Sequence, residues 1–316
     1  MPNVNTVSGP VDTADLGFTL MHEHIMVQSP GVKENFPVFD REAQVEGAAA
    51  KLKDVMARGV KTLVDLTPGD WRDMPFVKEV VARSGMQVVV ATGIYWEVPH
   101  FFRTLSTRTP EYIAELFVRD ITEGIMDSGV RAAVIKCATD ETGVTPDVER
   151  ILRASAKAHR ATGVPISTHT DASRKVGLLQ QDVFESEGVD LSRVVIGHSG
   201  DSEDLDYLTT LMKRGSFIGM DRFGLDQFLP QAKRVSTIAK LCEMGYAAQM
   251  VLSHDAACYF DWAPEELIPA VVPNWHFNFI PDVVVPELRQ AGVSEEHIGM
   301  MTVDNPRRVF ERQGPY

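Results

Sequence analysis

The first residues with chemical meaning are His22-Glu23-His24, at the end of the apolar run GFTLMHEH. On a β-strand, residues i and i+2 point the same way, so both imidazoles face one side. The pattern recurs. His169 ends VPISTHT, His198 falls near the end of RVVIGHS, and Asp255 ends QMVLSHD. Four histidines and an aspartate at the ends of separate apolar runs are a donor set, because imidazole and carboxylate suit zinc and similar divalent ions. Alternation turns His254 away from the side taken by Asp255, towards packing.

Lys136 ends a further run, RAAVIKCA. A free lysine has a pKa of about 10.4. In a crowded cationic pocket that value must fall, which makes the amine nucleophilic. Such an amine takes up carbon dioxide and becomes a carbamate, whose two anionic oxygens can bridge two metals. An ammonium beside two dications would be strongly unfavourable, and the carbamate removes that conflict. Cys137 points away from Lys136 by the same alternation and reads as a small packing residue.

These residues need a scaffold that gathers strand ends. Eight short apolar runs occupy residues 17–24, 60–67, 86–93, 131–138, 164–170, 193–199, 216–222 and 249–255. Most are near-continuously apolar and rich in Val and Ile, as strands buried on both faces are. Between them lie stretches such as AQVEGAAAKLKDVMARGV, MPFVKEVVARSG and DVERILRASAKAHRATG, each with a periodic apolar face and a terminal Gly. Strands alternating with helices imply parallel strands and crossover connections. A count of eight favours a closed (β/α)8 TIM barrel over an open doubly wound sheet. Barrels of this type run about 250 residues or more, and their active sites assemble at the C-terminal ends of the strands. No linker or low-complexity tract divides the 316 residues, so one domain over 1–316 is expected.

Two segments break the rhythm: QSPGVKENFPVFD after the first strand, and the aromatic, Pro-rich residues 256–285 after the eighth. Long connections in compact domains are often binding loops. The second supplies Tyr259, Phe260, Trp262, Trp275, Phe277 and Phe279, which suit an apolar channel for an acyl chain. The net charge of −13 argues against a nucleic-acid or anionic-membrane partner. Three scattered cysteines fit a reducing compartment. The N-terminus has neither a basic n-region nor an apolar h-region, and no apolar window of membrane-spanning length occurs, so a cytoplasmic location is expected.

The motifs LMHEH, IKCATDE around Lys136, ISTHT, VIGHSGD, GMDRFGLD, LSHD with the following FDW, and the late PNW and DNPRRVF together resemble the phosphotriesterase-like lactonase family of the amidohydrolase superfamily. The resemblance spans roughly residues 5–313. It implies a (β/α)8 barrel with a binuclear centre. His22, His24 and Asp255 resemble the ligands of the more buried metal, His169 and His198 those of the more exposed one, and Lys136 the carboxylated bridging lysine. Tyr95 in GIYW resembles the family's active-site tyrosine, Arg222 the arginine beside the pocket, and Trp262 the wall residue of the eighth loop. The implied metals are two divalent ions, with zinc favoured and cobalt, iron or manganese as alternatives.

The resemblance further implies opening of lactone rings, N-acyl homoserine lactones above all, in a quorum-quenching role. Attack by a metal-bridging hydroxide is implied, with Asp255 as proton shuttle, weak organophosphate triesterase activity as a side reaction, and a homodimer. Two other readings stand beside it: a dedicated phosphotriesterase or other ester or amide hydrolase, and a non-catalytic metal-binding barrel. Against the family pattern, the loop after the third strand looks short, with Trp96 and Glu97 where an apolar stretch is expected, and Asp70 and Trp71 mark an unusual loop after the second. Asp201, after GHSG, is a candidate to orient a histidine or Arg222.

Overall fold

The computed structural model describes residues 2–36, 40–69, 71–95, 98–103, 108–312 and 314–316. Asp70, Trp96 and Glu97 lie outside these residues. An antiparallel hairpin of β1 (Asn3–Thr6) and β2 (Gly9–Asp12) precedes the main sheet. The main strands follow as β3 (Phe18–Val27), β4 (Val60–Asp65), β5 (Gln87–Gly93), β6 (Val134–Thr139), β7 (Ile166–Thr170), β8 (Val194–Ile196), β9 (Phe217–Met220) and β10 (Met250–Leu252). All eight expected runs therefore contain strands. A short ninth, β11 (Ala257–Phe260), extends the last of them.

Neighbouring strands from β3 to β10 pair in parallel and in sequence order. Helices separate them, among them Arg41–Met56, Met74–Ser84, Pro110–Thr122, Pro146–Thr162, Val176–Ser186, Leu205–Lys213 and Gln231–Glu243. Their boundaries follow local chemistry. Asp73 accepts from the backbone N–H of Phe76, and Thr145 caps a helix whose first residue is Pro146. Gly85 and Gly163 end their helices in the left-handed region, where a missing Cβ costs nothing.

Closure of the barrel depends on a bend. β10 pairs with β9, whereas β11 pairs with β3. Between them Asp255 N–H donates to the His22 carbonyl at 3.0 Å, and His24 N–H to the Ala256 carbonyl at 2.8 Å. The eighth strand thus breaks at 253–256 and resumes along the first. Glu23 holds the break in place. Its Oε1 accepts from Ser253 Oγ (2.8 Å) and His254 N (3.0 Å), and its Oε2 from Ala256 N (2.8 Å). Sequence alone did not mark this buried glutamate as the pin of the closure.

Alternation divides the core in two. Val64, Val89, Ala91, Val134, Val195, Phe217 and Val251 form the inner cluster. Their strand neighbours Leu63, Val88, Val90, Ile135, Ile196, Ile218 and Leu252 belong to the cluster packed with the helices. Lys136 has the parity of Val134 and so lies inside. Cys137 has the parity of Ile135 and lies buried in the outer layer. This makes the interior below the donor residues a packed plug, not a channel. Among the described residues no helix is long and apolar enough to cross a membrane.

Candidate metal centre

His22 and His24 lie in the middle of β3, which runs on to Val27, on one face as i, i+2 spacing requires, with ring centroids 5.6 Å apart. His198 and Asp255 reach the same place by another route. The sequence places them on strands, but β8 ends at Ile196 and β10 at Leu252. Both residues adopt left-handed backbone, with φ of 57° and 59°. Non-glycine residues in that region are uncommon and cluster at functional sites. Their side chains are therefore aimed by local backbone turns and not by strand alternation.

The donor atoms converge on Asp255. His22 Nε2 lies 3.3 Å and His24 Nε2 3.0 Å from its Oδ1, and His198 Nε2 lies 3.7 Å from its Oδ2. Lys136 Nζ is 2.8 Å from His22 Nε2. His22 and His198 rings stack with centroids 4.7 Å apart. Among the described residues, His22, His198 and Asp255 present ligand atoms all within 4.8 Å of one another.

The other nitrogen of each ring is committed elsewhere. His22 Nδ1 is 2.7 Å from Asp221 Oδ2, and His198 Nδ1 is 3.1 Å from Asp221 Oδ1. His24 Nδ1 is 2.9 Å from Thr67 Oγ1, whose own hydroxyl donates to Asp65 Oδ1 at 2.5 Å. A hydroxyl that donates to a carboxylate has only its oxygen to offer the ring, so His24 must carry its proton on Nδ1. The same follows for the two rings facing Asp221. All three Nε2 atoms then turn lone pairs towards the oxygens of Asp255. Acceptors facing acceptors at these distances repel unless cations lie between them. The set fits divalent metal ions on this ground, with ring orientation fixed by outer hydrogen bonds as metal-binding histidines require.

His169 is adjacent but turned differently. Its ring centroid is 4.6 Å from that of His198. Its Nε2 faces Asp140 Oδ2 at 3.5 Å, and its Nδ1 accepts from the Tyr95 hydroxyl at 2.7 Å. Arg222 Nε donates to Asp255 Oδ2 at 3.0 Å, and its Nη1 to Asp201 Oδ2 at 3.1 Å. The Asp201 carboxylate thus pairs with Arg222 and, at 2.6 Å, with Arg234. Asp221, Asp140 and the Asp65–Thr67 pair were absent from the sequence-based set. For Asp221 a signal existed: an acid beside Arg222 at the end of the seventh run.

Charge and burial act together here. Burial pushes the Lys136 ammonium down to about 8, against the pull of Asp255 and Asp221. Burial also lowers His169 to about 4 and His198 well below its ordinary value, with Arg222 adding to both. For Asp255 burial acts upwards, but the surrounding groups, His198, His22 and Arg222 among them, outweigh it. Its carboxyl is held well below the usual range.

Above the centre lies a cavity of about 420 Å³. Its floor is His22, His24, Lys136, Asp255, Arg222 and Tyr95, and its walls include Trp71, Leu225, Phe260, Trp262, Val271 and Trp275. Trp71 packs against Tyr95 and Trp262, with centroids 4.8 and 4.9 Å apart. Three of the six aromatics expected to line a channel do not. Phe277 and Phe279 are buried in the barrel–helix core, and Tyr259 packs against that core from its edge. The segment carrying Phe277 and Phe279 is tied to the barrel on both sides, Trp275 Nε1 donating to the His254 carbonyl at 3.0 Å and Ile280 N–H to His254 Nε2 at 3.0 Å.

Comparison with known proteins gives a consistent result. The profile of the Phosphotriesterase family matches residues 2–310. A "Phosphotriesterase homology protein" of Mycobacterium tuberculosis is 53% identical over the whole of both chains. An "Aryldialkylphosphatase" of Saccharolobus solfataricus is 40% identical, over 95% of this chain and 96% of its own. The solved structure of the phosphotriesterase from Mycobacterium tuberculosis superposes with a TM-score of 0.97 at 52% identity, covering all of both chains.

Proposed function

The chain belongs to the phosphotriesterase family, and from that premise we propose that it is a metal-dependent hydrolase that opens lactone rings, N-acyl homoserine lactones foremost. One observation carries this reading. A cluster of imidazole lone pairs and one ionised carboxylate forms the floor of a cavity whose walls are mostly apolar. A polar reacting group at the floor with an apolar tail against the walls is the shape of an acylated lactone.

His22, His24 and Asp255 would hold one divalent ion and His198 the other, with Lys136 shared, and His169 would join His198 by turning a ring nitrogen away from Tyr95 or Asp140. When bound, such a pair supplies an activated water and polarises a carbonyl or phosphoryl oxygen. Zinc suits this donor set, and cobalt, iron and manganese are tolerated by it. Lys136 would contribute after reaction with carbon dioxide: the neutral amine forms an N–C bond as one C=O π bond opens, one proton is released, and one negative charge is shared over the two new oxygens. Its depressed pKa makes the neutral amine accessible near neutral pH. Asp255, ionised and held by Arg222, takes a proton from the attacking water and returns it to the leaving alkoxide. Tyr95, whose hydroxyl bonds His169 and lines the cavity, would donate to the oxygen of the opening ring once it releases His169. Trp262, half-exposed at the rim, and Trp71 close the apolar side against water.

A second reading, a dedicated phosphotriesterase, is favoured by the description of the 40% identical relative. A tetrahedral phosphoryl centre resembles the tetrahedral state of lactone opening, so one site tolerates both. A panel of lactones of varied acyl length, run beside paraoxon with and without chelator, separates the two. The lactone reading expects kcat/KM orders of magnitude higher for a lactone and loss of both activities on chelation. A preference for paraoxon overturns it. A homodimer belongs to the same reading, checked by light scattering.

A further inference from the structure

The two proposed metal positions draw on ligands from different strands, yet one buried carboxylate touches both. Asp221 follows β9 and is 1% exposed. Its Oδ2 faces His22 Nδ1 at 2.7 Å. Its Oδ1 accepts from the His198 backbone N–H at 2.7 Å and faces His198 Nδ1 at 3.1 Å. His22 belongs to one half of the donor set and His198 to the other.

The surroundings leave this carboxylate one place to be. Gly219 shares its parity on the strand, and a Cβ there would sit 2.4 Å from Asp221 Oδ2. A Cβ on Gly197 would sit 3.3 Å from the same oxygen and 1.9 Å from the Thr168 carbonyl oxygen. Gly197, just after β8, and Gly219 on β9 therefore form the socket. Within it the carboxylate has acceptors only, so both imidazoles must carry their protons on Nδ1 and turn Nε2 lone pairs inwards.

We propose that Asp221 is the positioning residue that fixes the tautomers of His22 and His198 together, so that both halves of the metal centre depend on one carboxylate. The inference rests on the two-metal reading above. It predicts an asymmetric response to Asp221→Asn. Two N–H groups, one of them backbone, converge on Oδ1, so the amide oxygen stays there. The amide NH2 then faces His22, whose Nδ1 must become an acceptor. The His22 proton moves to Nε2, which can no longer donate a lone pair to a cation. The His198 side keeps its tautomer.

Two measurements test this. Long-range 1H–15N correlation spectra of metal-free protein read each tautomer directly. Both rings are expected as Nδ1–H in the wild type, and His22 alone as Nε2–H in D221N. Calorimetric titration with Zn2+ is expected to show two tight equivalents in the wild type, with one weakened 10–100-fold in D221N. Gly219→Ala displaces the carboxylate without altering any ligand and is expected to weaken the same equivalent. An Nε2–H tautomer on either ring of the wild type, or unchanged tautomers and Zn2+ affinities in D221N and G219A, overturns the inference. Failure of the wild type to bind Zn2+ overturns the two-metal reading instead, while the metal-free spectra still decide the role of Asp221.

Discussion

Removing the Lys136 amine is expected to stabilise the metal-free protein while destroying its function. In the fold this ammonium is 1% exposed and its pKa falls from 10.5 to about 8. The unfolded chain keeps the ordinary value. Because the folded value is the lower, stability from this group is fully present above 10.5 and is lost as pH falls from there through 8. Below 8 the buried ammonium costs about 3 kcal/mol relative to the neutral amine, from about 1.4 kcal/mol per pH unit. Lys136→Met removes that cost at similar volume but forfeits the contact with His22 Nε2, a loss of about 1 kcal/mol. The net expectation at pH 7 is a gain of about 2 kcal/mol. The gap between variant and wild type should narrow between pH 8 and 10.5. Urea denaturation of chelated, carbon dioxide-depleted protein at pH 7 and pH 10 measures it, and hydrolysis by the metal-loaded variant should be abolished. A variant no more stable than wild type at pH 7, or a gap that ignores pH, would refute the reasoning.

Three further outcomes follow from the same geometry. Asp255→Asn, with metal content verified, is expected to lower kcat about 10²–10⁴-fold; unchanged turnover removes Asp255 from proton transfer. His169 is depressed to about 4, so chelated protein should lose about 3 kcal/mol of stability as pH falls from 6.5 towards 4. Thermal melts across that range should show the wild type losing stability relative to His169→Gln as pH falls, and parallel curves would contradict this. Trp262→Ala opens the rim of the cavity and is expected to raise KM for long-chain lactones several-fold with kcat little changed. An effect on kcat alone would place Trp262 outside substrate binding.

The barrel was legible in the sequence because its signal is local. Strands buried on both faces are continuously apolar, and the alternation that puts Val134 and Lys136 inside and Ile135 and Cys137 outside holds within a single strand. The i, i+2 placement of His22 and His24 is equally local. Their proton positions are not. His22 meets Asp221 across 199 positions of sequence, and Glu23 pins a bend more than 200 positions away. His198 and Asp255 are aimed by left-handed turns beyond their strands, where period-two reasoning no longer applies. Phe277 and Phe279 read as channel residues in the sequence but lie in the core, on a segment anchored to His254 across the fold. Chain periodicity fixes which way a residue faces within its own strand. Which groups then meet across the barrel mouth depends on closure, which only the folded chain supplies.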